Sequence, residues 1–280
     1  MLNIFLIGSD AVWNWQIRSF PNPYLGGKEL APVKMSYAAS SYGQPYQTLG
    51  QKKLAFLNNA WSTFAYLGVR DVPTEGFVKK VNPDLMPQHN CDPTVFLDLP
   101  NLPVKKSDIF EKLKAMGFDP KKKTIGIMSH PWLAHMVKKQ FGDDYQIVSL
   151  FNYNKEADIN LLNVNPFEWA IAFSFFDVTI THYFHGNLLS LKNGTPTIAV
   201  EQRNPYNVEY GSKIRDFMKR IGFDSYCYYV DEVEENNNLY DIVEDVLGDK
   251  SYRQRLSEAI AKESSSFESF ADNLGRVLTN

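Results

Sequence analysis

The segment DVTITHYFHGNLLSLKNGTPTIAV, residues 177–200, decides the fold that this chain is expected to adopt. Its residues 178–181 form an unbroken β-branched run, which is typical of a buried parallel strand. Leucines then follow at helical spacing, Gly194 stands where a helix commonly ends, and Pro196 prevents the helix from continuing. Residues 197–200 resemble a second buried strand. The segment therefore predicts a strand–helix–strand unit of an α/β protein.

The polar residues of this segment fall between its first strand and its helix. They are His182, Tyr183, His185, Gly186 and Asn187. In open α/β sheets, ligands bind outside the carboxyl ends of the strands. A helix that begins there offers N–H groups and a partial positive charge. We therefore predict an anionic ligand at this junction.

The composition of the whole chain favours a globular protein of two domains. The chain has 280 residues, of which 44% are hydrophobic and 14% aromatic, and this is enough for a large core. Its 29 Lys and Arg residues are outnumbered by 32 Asp and Glu residues, which gives a net charge of −3. Nucleic-acid binding needs a basic excess that this chain lacks, so that class of function is disfavoured.

Cysteine usage and hydropathy predict a cytoplasmic location for this protein. Cys91 and Cys227 are far apart and form neither a disulfide framework nor a metal-binding CxxC pattern. A reducing compartment is then the default. The opening residues do not resemble a signal peptide, and no apolar run has transmembrane length. We predict no metal site, no cofactor and no transmembrane segment, while peripheral contact with a membrane stays open.

Strand and helix patterns alternate through both halves of the chain, as they do in Rossmann-like domains. A proline-containing stretch at 101–120 separates the two halves. We predict an N-terminal Rossmann-like domain at residues 1–103 on the acceptor side and a C-terminal one at 104–250 on the donor side. Residues 251–280 are predicted to form a helical segment that packs on the domains.

Polar residues stand at the predicted strand ends of both halves. The set is Ser9, Asp10, Ser40, Arg70, Ser129, His130, His182, His185 and Arg203. Carboxyl ends of parallel strands meet at one edge of a sheet. Two such domains facing each other across a cleft would gather these residues, and that is the plan of the GT-B fold. The predicted fold class is therefore α/β, GT-B-like.

Several motifs resemble those of the polysaccharide pyruvyl transferase family, in the family's order. They are GSDAVWN at 8–14, SYAAS at 36–40, GVRD at 68–71, CDPT at 91–94, THYFHG at 181–186 and SKIRD at 212–216. Each motif is weak by itself, but the ordered set is specific. The resemblance covers residues 8 to 216.

This resemblance implies a bacterial transferase of exopolysaccharide or cell-envelope biosynthesis. Such an enzyme moves pyruvate from phosphoenolpyruvate to sugar hydroxyls and forms a ketal. The donor carries a carboxylate and a phosphate, so its site needs cations and helix N-termini. The implied acceptor is a glycan or a lipid-linked oligosaccharide.

The strand-end positions and the resemblance together suggest a role for each candidate residue. His185 is predicted to be the general acid/base, and Asp10 to help activate the acceptor hydroxyl. The predicted donor-binding residues are Gly186, Asn187, Lys213, Arg70, His182 and Arg203. The predicted acceptor-binding residues are Ser9, Trp13, Asn14 and Ser40.

The sequence departs from the family pattern in two places. Many members have Arg two residues before the signature His, where this chain has Tyr183. A compensating cation would then come from His182, Arg203 or Lys213. Family chains also usually carry a strand–loop–helix unit before the GSD motif, which suggests that the first domain here is truncated at its N-terminus.

Two other functions stay open on the sequence. One is a GT-B glycosyltransferase that uses a nucleotide sugar, in which Glu201 could contact the ribose. The other is a non-catalytic glycan-binding relative. Binding of phosphoenolpyruvate or of a nucleotide sugar would distinguish these alternatives.

Overall fold

A computed structural model describes residues 4–17, 19–27, 29–30, 32–42, 46–142, 144–203 and 212–279. The strands are β1 (Ile4–Asp10), β2 (Val33–Ala39), β3 (Phe64–Val69), β4 (Gln88–His89), β5 (Lys123–Met128), β6 (Tyr145–Leu150), β7 (Ile159–Leu161), β8 (Val178–Thr181), β9 (Thr197–Glu201) and β10 (Cys227–Tyr229). The helices are α1 (Gln51–Trp61), α2 (Val72–Val81), α3 (Lys106–Ala115), α4 (Pro131–Phe141), α5 (Pro166–Ala172), α6 (Phe184–Lys192), α7 (Lys213–Arg220), α8 (Val230–Asn236), α9 (Leu239–Gly248), α10 (Tyr252–Ser264) and α11 (Ser266–Thr279).

The chain divides into two compact units that are discontinuous in sequence. Unit 1 consists of Met1–Val95, Asn204–Arg220 and Ala261–Asn280, and unit 2 of Phe96–Arg203 and Ile221–Ile260. The predicted boundary at residue 103 lies close to the observed one. The two later segments of unit 1 differ from the prediction, which had assigned 204–220 to the C-terminal domain.

Tertiary contacts explain why these segments join unit 1. Helix α7 packs against α2, and α11 packs against β3. On α11, the ring of Phe270 lies 4.8 Å from that of Tyr37 and 5.5 Å from that of Tyr66. These contacts link residues that are far apart along the chain, so local spacing could not reveal them.

Unit 1 is built on a four-stranded sheet in the order β1-β2-β3-β4, and its strand pairs are parallel. A core cluster on α1 and α2 contains Trp13, Trp61 and Phe77, all fully buried. A second cluster joins the sheet to α11 through Tyr37 and Phe270. Burial of these aromatic side chains supplies the hydrophobic stabilisation of the unit.

Unit 2 is built on a six-stranded parallel sheet in the order β10-β9-β8-β5-β6-β7. The β-branched run at 178–181 is β8, and each of its four residues is buried, as parallel strands covered on both faces require. Helix α6 follows, Gly194 adopts a left-handed φ of 70°, and β9 comes next. The predicted strand–helix–strand unit is confirmed.

Both units are therefore Rossmann-like, and the predicted α/β class is confirmed. The segment 252–278, which the sequence suggests is one helix, is interrupted at Ser265 between α10 and α11. There the Ser266 hydroxyl accepts the backbone N–H of Cys91 at 2.7 Å. Across the described part of the chain, no helix is both long and apolar enough to cross a membrane.

Candidate functional site

In unit 2, two histidines meet at the carboxyl ends of β5 and β8. His130 follows β5 and precedes α4, while His182 follows β8 directly. Their ring centroids are 4.5 Å apart, and Trp132 lies 5.8 Å from His182. The neighbouring positions of β5 and β8 in the sheet bring these rings together.

Burial keeps His182 neutral at physiological pH. Burial, and secondly the charge of His130, lower the pKa of His182 to about 4. Among the described residues, its buried Nδ1 has no hydrogen-bond partner. The lowered pKa disfavours a charged His182, and its role as a compensating cation stays a prediction.

His185 occupies the predicted position at the start of α6. Tyr183 is the N-cap residue of this helix, and its N–H donates to Thr181 Oγ1 at 3.0 Å. His185 is the second helical residue, is half-buried, and packs edge-on against Phe184 with centroids 5.5 Å apart. It therefore lies at the edge of the sheet where ligands bind in this class of fold.

Gly186 permits the close approach of α6 to the end of β8. A Cβ atom at this position would lie 2.5 Å from Thr181 Oγ1 and 2.7 Å from Met128 Sδ. Such distances leave no room for any side chain. The glycine is therefore required for packing, and its N–H precedes the first hydrogen bond within the helix.

Asn187 takes part in the helix itself. Its backbone N–H and its side-chain Nδ2 both donate to the carbonyl of Tyr183, each at 3.0 Å. The side chain is fully buried. Its backbone N–H is therefore engaged within the helix, while its buried Oδ1 has no hydrogen-bond partner among the described residues. Its contact with the donor stays a prediction.

Arg203 is an exposed residue with its own acidic partners. Its Nε donates to Asp231 and its Nη2 to Glu232, each at 2.7 Å, and its guanidinium lies 3.9 Å from the centroid of the Tyr229 ring. Two carboxylates already neutralise this cation. The role of Arg203 as the compensating cation stays a prediction, and it would require exchange of these exposed ion pairs for the donor.

In unit 1, a charged cluster lies at the carboxyl ends of β1, β3 and β4. Arg70, directly after β3, is only 1% exposed, and its Nη1 donates to Asp92 Oδ2 at 2.6 Å. Its Nη2 lies 3.5 Å from Oδ1 of Asp10, the last residue of β1, whose side chain is 58% exposed. Arg70 thus links a buried carboxylate to a solvent-facing one.

Lys213, at the beginning of α7, adds a second cation to this cluster. Its Nζ lies 4.1 Å from the centroid of the Tyr42 ring. Burial lowers the pKa of Lys213 to about 8, the charge of Arg70 adds to this effect, and Asp10 opposes it. We define the cation cluster as Asp10, Arg70, Asp92 and Lys213.

Three of these four residues were predicted as site residues from the sequence. Asp92 was missed as a site residue, although its CDPT motif and its position after a short strand singled out the segment. The signal that could have found it is the burial of Arg70, because a fully buried guanidinium needs a carboxylate partner. Only the tertiary structure shows that burial.

Trp13 and Asn14 lie in the core of unit 1. Trp13 is fully buried, stacks on Trp61 with centroids 4.6 Å apart, and donates its Nε1–H to the carbonyl of Tyr24 at 2.8 Å. Asn14 is also buried, and its Oδ1 accepts the backbone N–H groups two and three positions later, at 2.8 and 3.2 Å. These contacts order the loop after β1 and contradict the predicted binding of an acceptor by either residue.

Ser40 is likewise engaged inside unit 1. It is fully buried, its hydroxyl donates to Asp71 Oδ2 at 2.6 Å, and it accepts the N–H of Tyr42 at 3.1 Å. Its predicted acceptor contact is therefore wrong. Ser9 is half-buried and directly precedes Asp10, so its acceptor role stays a prediction.

The described residues contain no group of three or more His, Cys, Asp or Glu side chains that could hold a metal ion. The described residues supply the candidate chemistry in two places. It consists of the cation cluster in unit 1 and of His185 with the start of α6 in unit 2.

Comparison with protein families gives one match that covers most of the chain. The model of the family described as polysaccharide pyruvyl transferase matches residues 1–204. A comparison with curated proteins gives no significant match.

Several solved structures are similar to the chain in fold. One is the N-terminal domain of trehalose-6-phosphate phosphatase from Candida albicans, with TM-score 0.56, 11% identity, and coverage of 97% of this chain and 69% of that chain. Another is UDP-GlcNAc 2-epimerase from Neisseria meningitidis bound to UDP-GlcNAc, with TM-score 0.52, 10% identity, and coverage of 89% and 76%. The wall teichoic acid polymerase TagF gives TM-score 0.50, 13% identity, and coverage of 92% and 70%. At these identities the likeness shows the fold alone, and it confirms the GT-B-like class.

Proposed function

Because the chain belongs to the polysaccharide pyruvyl transferase family, we propose that it transfers pyruvate from phosphoenolpyruvate to hydroxyl groups of a sugar in a glycan precursor. The product is a cyclic ketal and inorganic phosphate. Two sugar O–H bonds break and two C–O bonds form at the central carbon of the donor, while that carbon loses its π bond to the methylene carbon and its C–O bond to the phosphate. One proton ends on the former methylene carbon, and the other leaves with the phosphate.

The observation that carries this proposal is the cation cluster of unit 1. Arg70 is buried and Lys213 is half-buried, and the charge of Arg70 makes protonation of Lys213 less favourable. An anion bound between them would relieve that repulsion and restore the charged form of Lys213. Phosphoenolpyruvate carries a phosphate and a carboxylate, which are the groups that such cations bind through charge-assisted hydrogen bonds.

The buried Asp92 makes Arg70 suitable for this task. Its 2.6 Å contact with Nη1 fixes the guanidinium plane, while Nη2 points to the solvent-exposed side chain of Asp10. A guanidinium held in this way loses little additional conformational freedom when it binds a ligand. We assign Arg70 and Lys213 to the anionic groups of the donor, and Asp10 to the proton of an acceptor hydroxyl.

In unit 2, we assign proton transfer to His185. Its position on the first turn of α6 places it near the partial positive charge of the helix N-terminus. An imidazole exchanges protons near neutral pH, as the two proton movements of this reaction require. The Gly186 N–H is the member of the predicted pair that precedes the helical hydrogen bonds, and we assign it to an anionic oxygen.

Thermal unfolding with added ligand tests the donor. A ligand that binds only the native state stabilises it, by about 2.7 kcal/mol at roughly 100 times its Kd. We expect phosphoenolpyruvate to raise the melting temperature of the wild type, and Lys213→Met to abolish this rise. A rise with UDP or GDP sugars alone would instead favour the nucleotide-sugar glycosyltransferase.

Turnover tests the role of His185. We expect His185→Ala to abolish phosphate release from phosphoenolpyruvate in the presence of a methyl glycoside, while its melting temperature stays within about 2 °C of the wild type. His135→Ala is the matched control, because His135 is an exposed histidine of the same unit. Equal loss of turnover in both variants, or unfolding of His185→Ala, would contradict the assignment.

A further inference from the structure

A continuous series of rings lies at the carboxyl edge of the sheet of unit 2. Its members, which we call the ring row, are Trp132, His130, His182, Tyr183, Phe151 and Trp169. The ring of His182 contacts those of Trp132 and His130, and the row continues from His182 to Tyr183, Phe151 and Trp169. The centroids of these neighbouring rings lie between 4.1 and 6.0 Å apart. Such distances are those of packed aromatic pairs.

Phe151 is an exposed member of the row, as His130 also is, and it has a strained backbone. Phe151 directly follows β6, is 61% exposed, and has a φ of +73°. A bulky residue in the left-handed region is an outlier that costs about 1–3 kcal/mol, and such residues are concentrated at functional sites. The chain therefore keeps an aromatic ring in water at a position where Gly or Asn would be more stable.

The surrounding hydrogen bonds hold Phe151 in this conformation. The Nδ2 of Asn152 donates to the hydroxyl of Tyr183 at 3.0 Å and to the carbonyl of Ser129 at 3.3 Å. The backbone carbonyl of Asn152 in turn accepts the hydroxyl of Ser149 at 2.8 Å. These bonds fix the residue next to Phe151 to two neighbouring strand ends, so the orientation of the exposed ring is determined by the fold.

The chemistry of the ring row indicates a neutral ligand with an apolar face. None of its members is Lys, Arg, Asp or Glu, and His182 is held neutral by burial. The row offers a phosphate or carboxylate no Lys or Arg side chain, and its one exposed imidazole is that of His130. The C–H face of a pyranose ring stacks on aromatic rings, while its hydroxyl groups bond to imidazole nitrogens.

We infer that the ring row binds a sugar ring of the acceptor glycan, stacked on the exposed face of Phe151. The name acceptor rests on the proposed function, whereas sugar binding by the row does not. Tyr183 belongs to the row and begins the helix that carries His185 two residues later. The ring row was not among the acceptor-binding residues predicted from the sequence, which are Ser9, Trp13, Asn14 and Ser40.

A substitution that favours the observed backbone tests the inference without risk to the fold. Asn adopts positive φ readily, so Phe151→Asn removes the ring and is expected to leave the melting temperature unchanged or raised. We expect it to weaken binding of methyl β-glucoside, methyl β-galactoside or methyl N-acetyl-β-glucosaminide by about tenfold, measured by saturation-transfer NMR. Phe151→Tyr keeps the ring and is expected to bind as the wild type does.

Tyr153→Ala is the matched control. Tyr153 lies two residues away in the same loop and is 68% exposed. We expect this variant to retain glycoside binding. Equal losses in Tyr153→Ala and Phe151→Asn would show an unspecific apolar surface and overturn the inference.

Two further outcomes would also overturn it. In the first, the wild type shows no saturation transfer to any of the three glycosides. In the second, the wild type binds UMP instead of the glycosides, and Phe151→Asn loses that binding. The thermal shift by phosphoenolpyruvate, measured on the same proteins, separates this result from the proposed function. We expect Phe151→Asn to keep the thermal shift by phosphoenolpyruvate. If the wild type itself shows no such shift, the proposed donor is contradicted but sugar binding by the ring row is not.

Discussion

At the scale of single residues, the two carboxylates beside Arg70 have different roles. Asp92 is buried with the guanidinium and lies 2.6 Å from it, whereas Asp10 is 3.5 Å away with its side chain largely in water. A buried cation without a buried partner is strongly destabilising, while a solvent-exposed ion pair contributes little. Asp92 therefore stabilises the fold, whereas the ion pair of Asp10 contributes little to it.

We expect Asp92→Asn to lower the free energy of unfolding by about 3–5 kcal/mol, because it leaves the buried charge of Arg70 uncompensated. The control Asp10→Asn is expected to cost less than about 1 kcal/mol. Urea denaturation of the three proteins gives both values. Similar costs for the two variants would contradict the division of roles.

The lowered pKa of Lys213 predicts how donor binding depends on pH. Below about pH 8 Lys213 is protonated in the free protein, and above it the cation is lost. We expect the affinity for phosphoenolpyruvate to be constant from about pH 7 to 8 and then to fall by up to tenfold per pH unit. The ligand's phosphate, whose second pKa is about 6, does not titrate in this range.

Calorimetric titration at several pH values measures this decrease. Lys213→Arg is the informative control, because a guanidinium stays protonated throughout the range. Its binding is expected to show no decrease near pH 8. A decrease that persists in Lys213→Arg would mean that another group titrates.

At the scale of elements, the β8–α6 junction shows how close packing and the candidate site are combined. Gly186 lets the helix approach Thr181 and Met128, and the Thr181 hydroxyl donates to the carbonyl of Met128 at 2.7 Å. The same hydroxyl accepts the N–H of Tyr183 at the helix start. The first turn of α6, with His185, is thereby fixed to two central strands.

We expect Gly186→Ala to destabilise the protein by about 1–3 kcal/mol, because its Cβ would overlap with Thr181 and Met128. Gly275→Ala in α11 is the control: nothing lies within 4 Å of the added Cβ, so the higher helix propensity of Ala should stabilise by about 0.5–1 kcal/mol. Thermal or urea unfolding measures the stability change of each variant. A stabilising Gly186→Ala would mean that the helix can shift without cost.

At the scale of the whole molecule, the C-terminal segment completes unit 1 through a buried ionic network. Glu263 accepts hydrogen bonds from Arg220 at 2.9 Å and contacts His89 Nε2 at 3.2 Å. Arg220 also pairs with Asp216 on α7. Three segments that are distant in sequence are thus joined around one carboxylate.

This network predicts a specific dependence of stability on pH. Burial would raise the pKa of Glu263, but the bonds from His89 and Arg220 outweigh it and lower the pKa to about 2. A depressed carboxylate pKa contributes stability above the unfolded value of about 4.3, and that contribution is lost as the pH falls towards 2. We expect the stability difference between wild type and Glu263→Gln to be largest near pH 6 and to shrink below about pH 4.

Urea denaturation at several pH values measures this difference. Glu268→Gln, on the first turn of α11, is the matched control, because Glu268 is an exposed glutamate of the same unit. Its difference from the wild type is expected to stay small throughout. A difference for Glu263→Gln that does not change between pH 6 and pH 3 would contradict the role of its charge.

The sequence by itself determined the class of the fold and the location of the candidate chemistry. The spacing of residues 177–200 was sufficient for β8, α6 and β9. These features depend on neighbours within a few positions along the chain, so local patterns contain them. Asp10, Arg70 and Lys213 lie in one cluster. The sequence predicted Arg70 and Lys213 as donor-binding residues, whereas it assigned Asp10 to the acceptor hydroxyl.

Only the tertiary structure decided which polar side chains are available to a ligand. It buries Trp13, Asn14 and Ser40, neutralises His182, pairs Arg203 with two acids, and adds Asp92 to the site. It also assigns α7 and α11 to unit 1. Burial and ion pairing depend on residues that are tens to hundreds of positions apart, and the free energy of a charged or polar group is determined by those distant neighbours rather than by its local sequence.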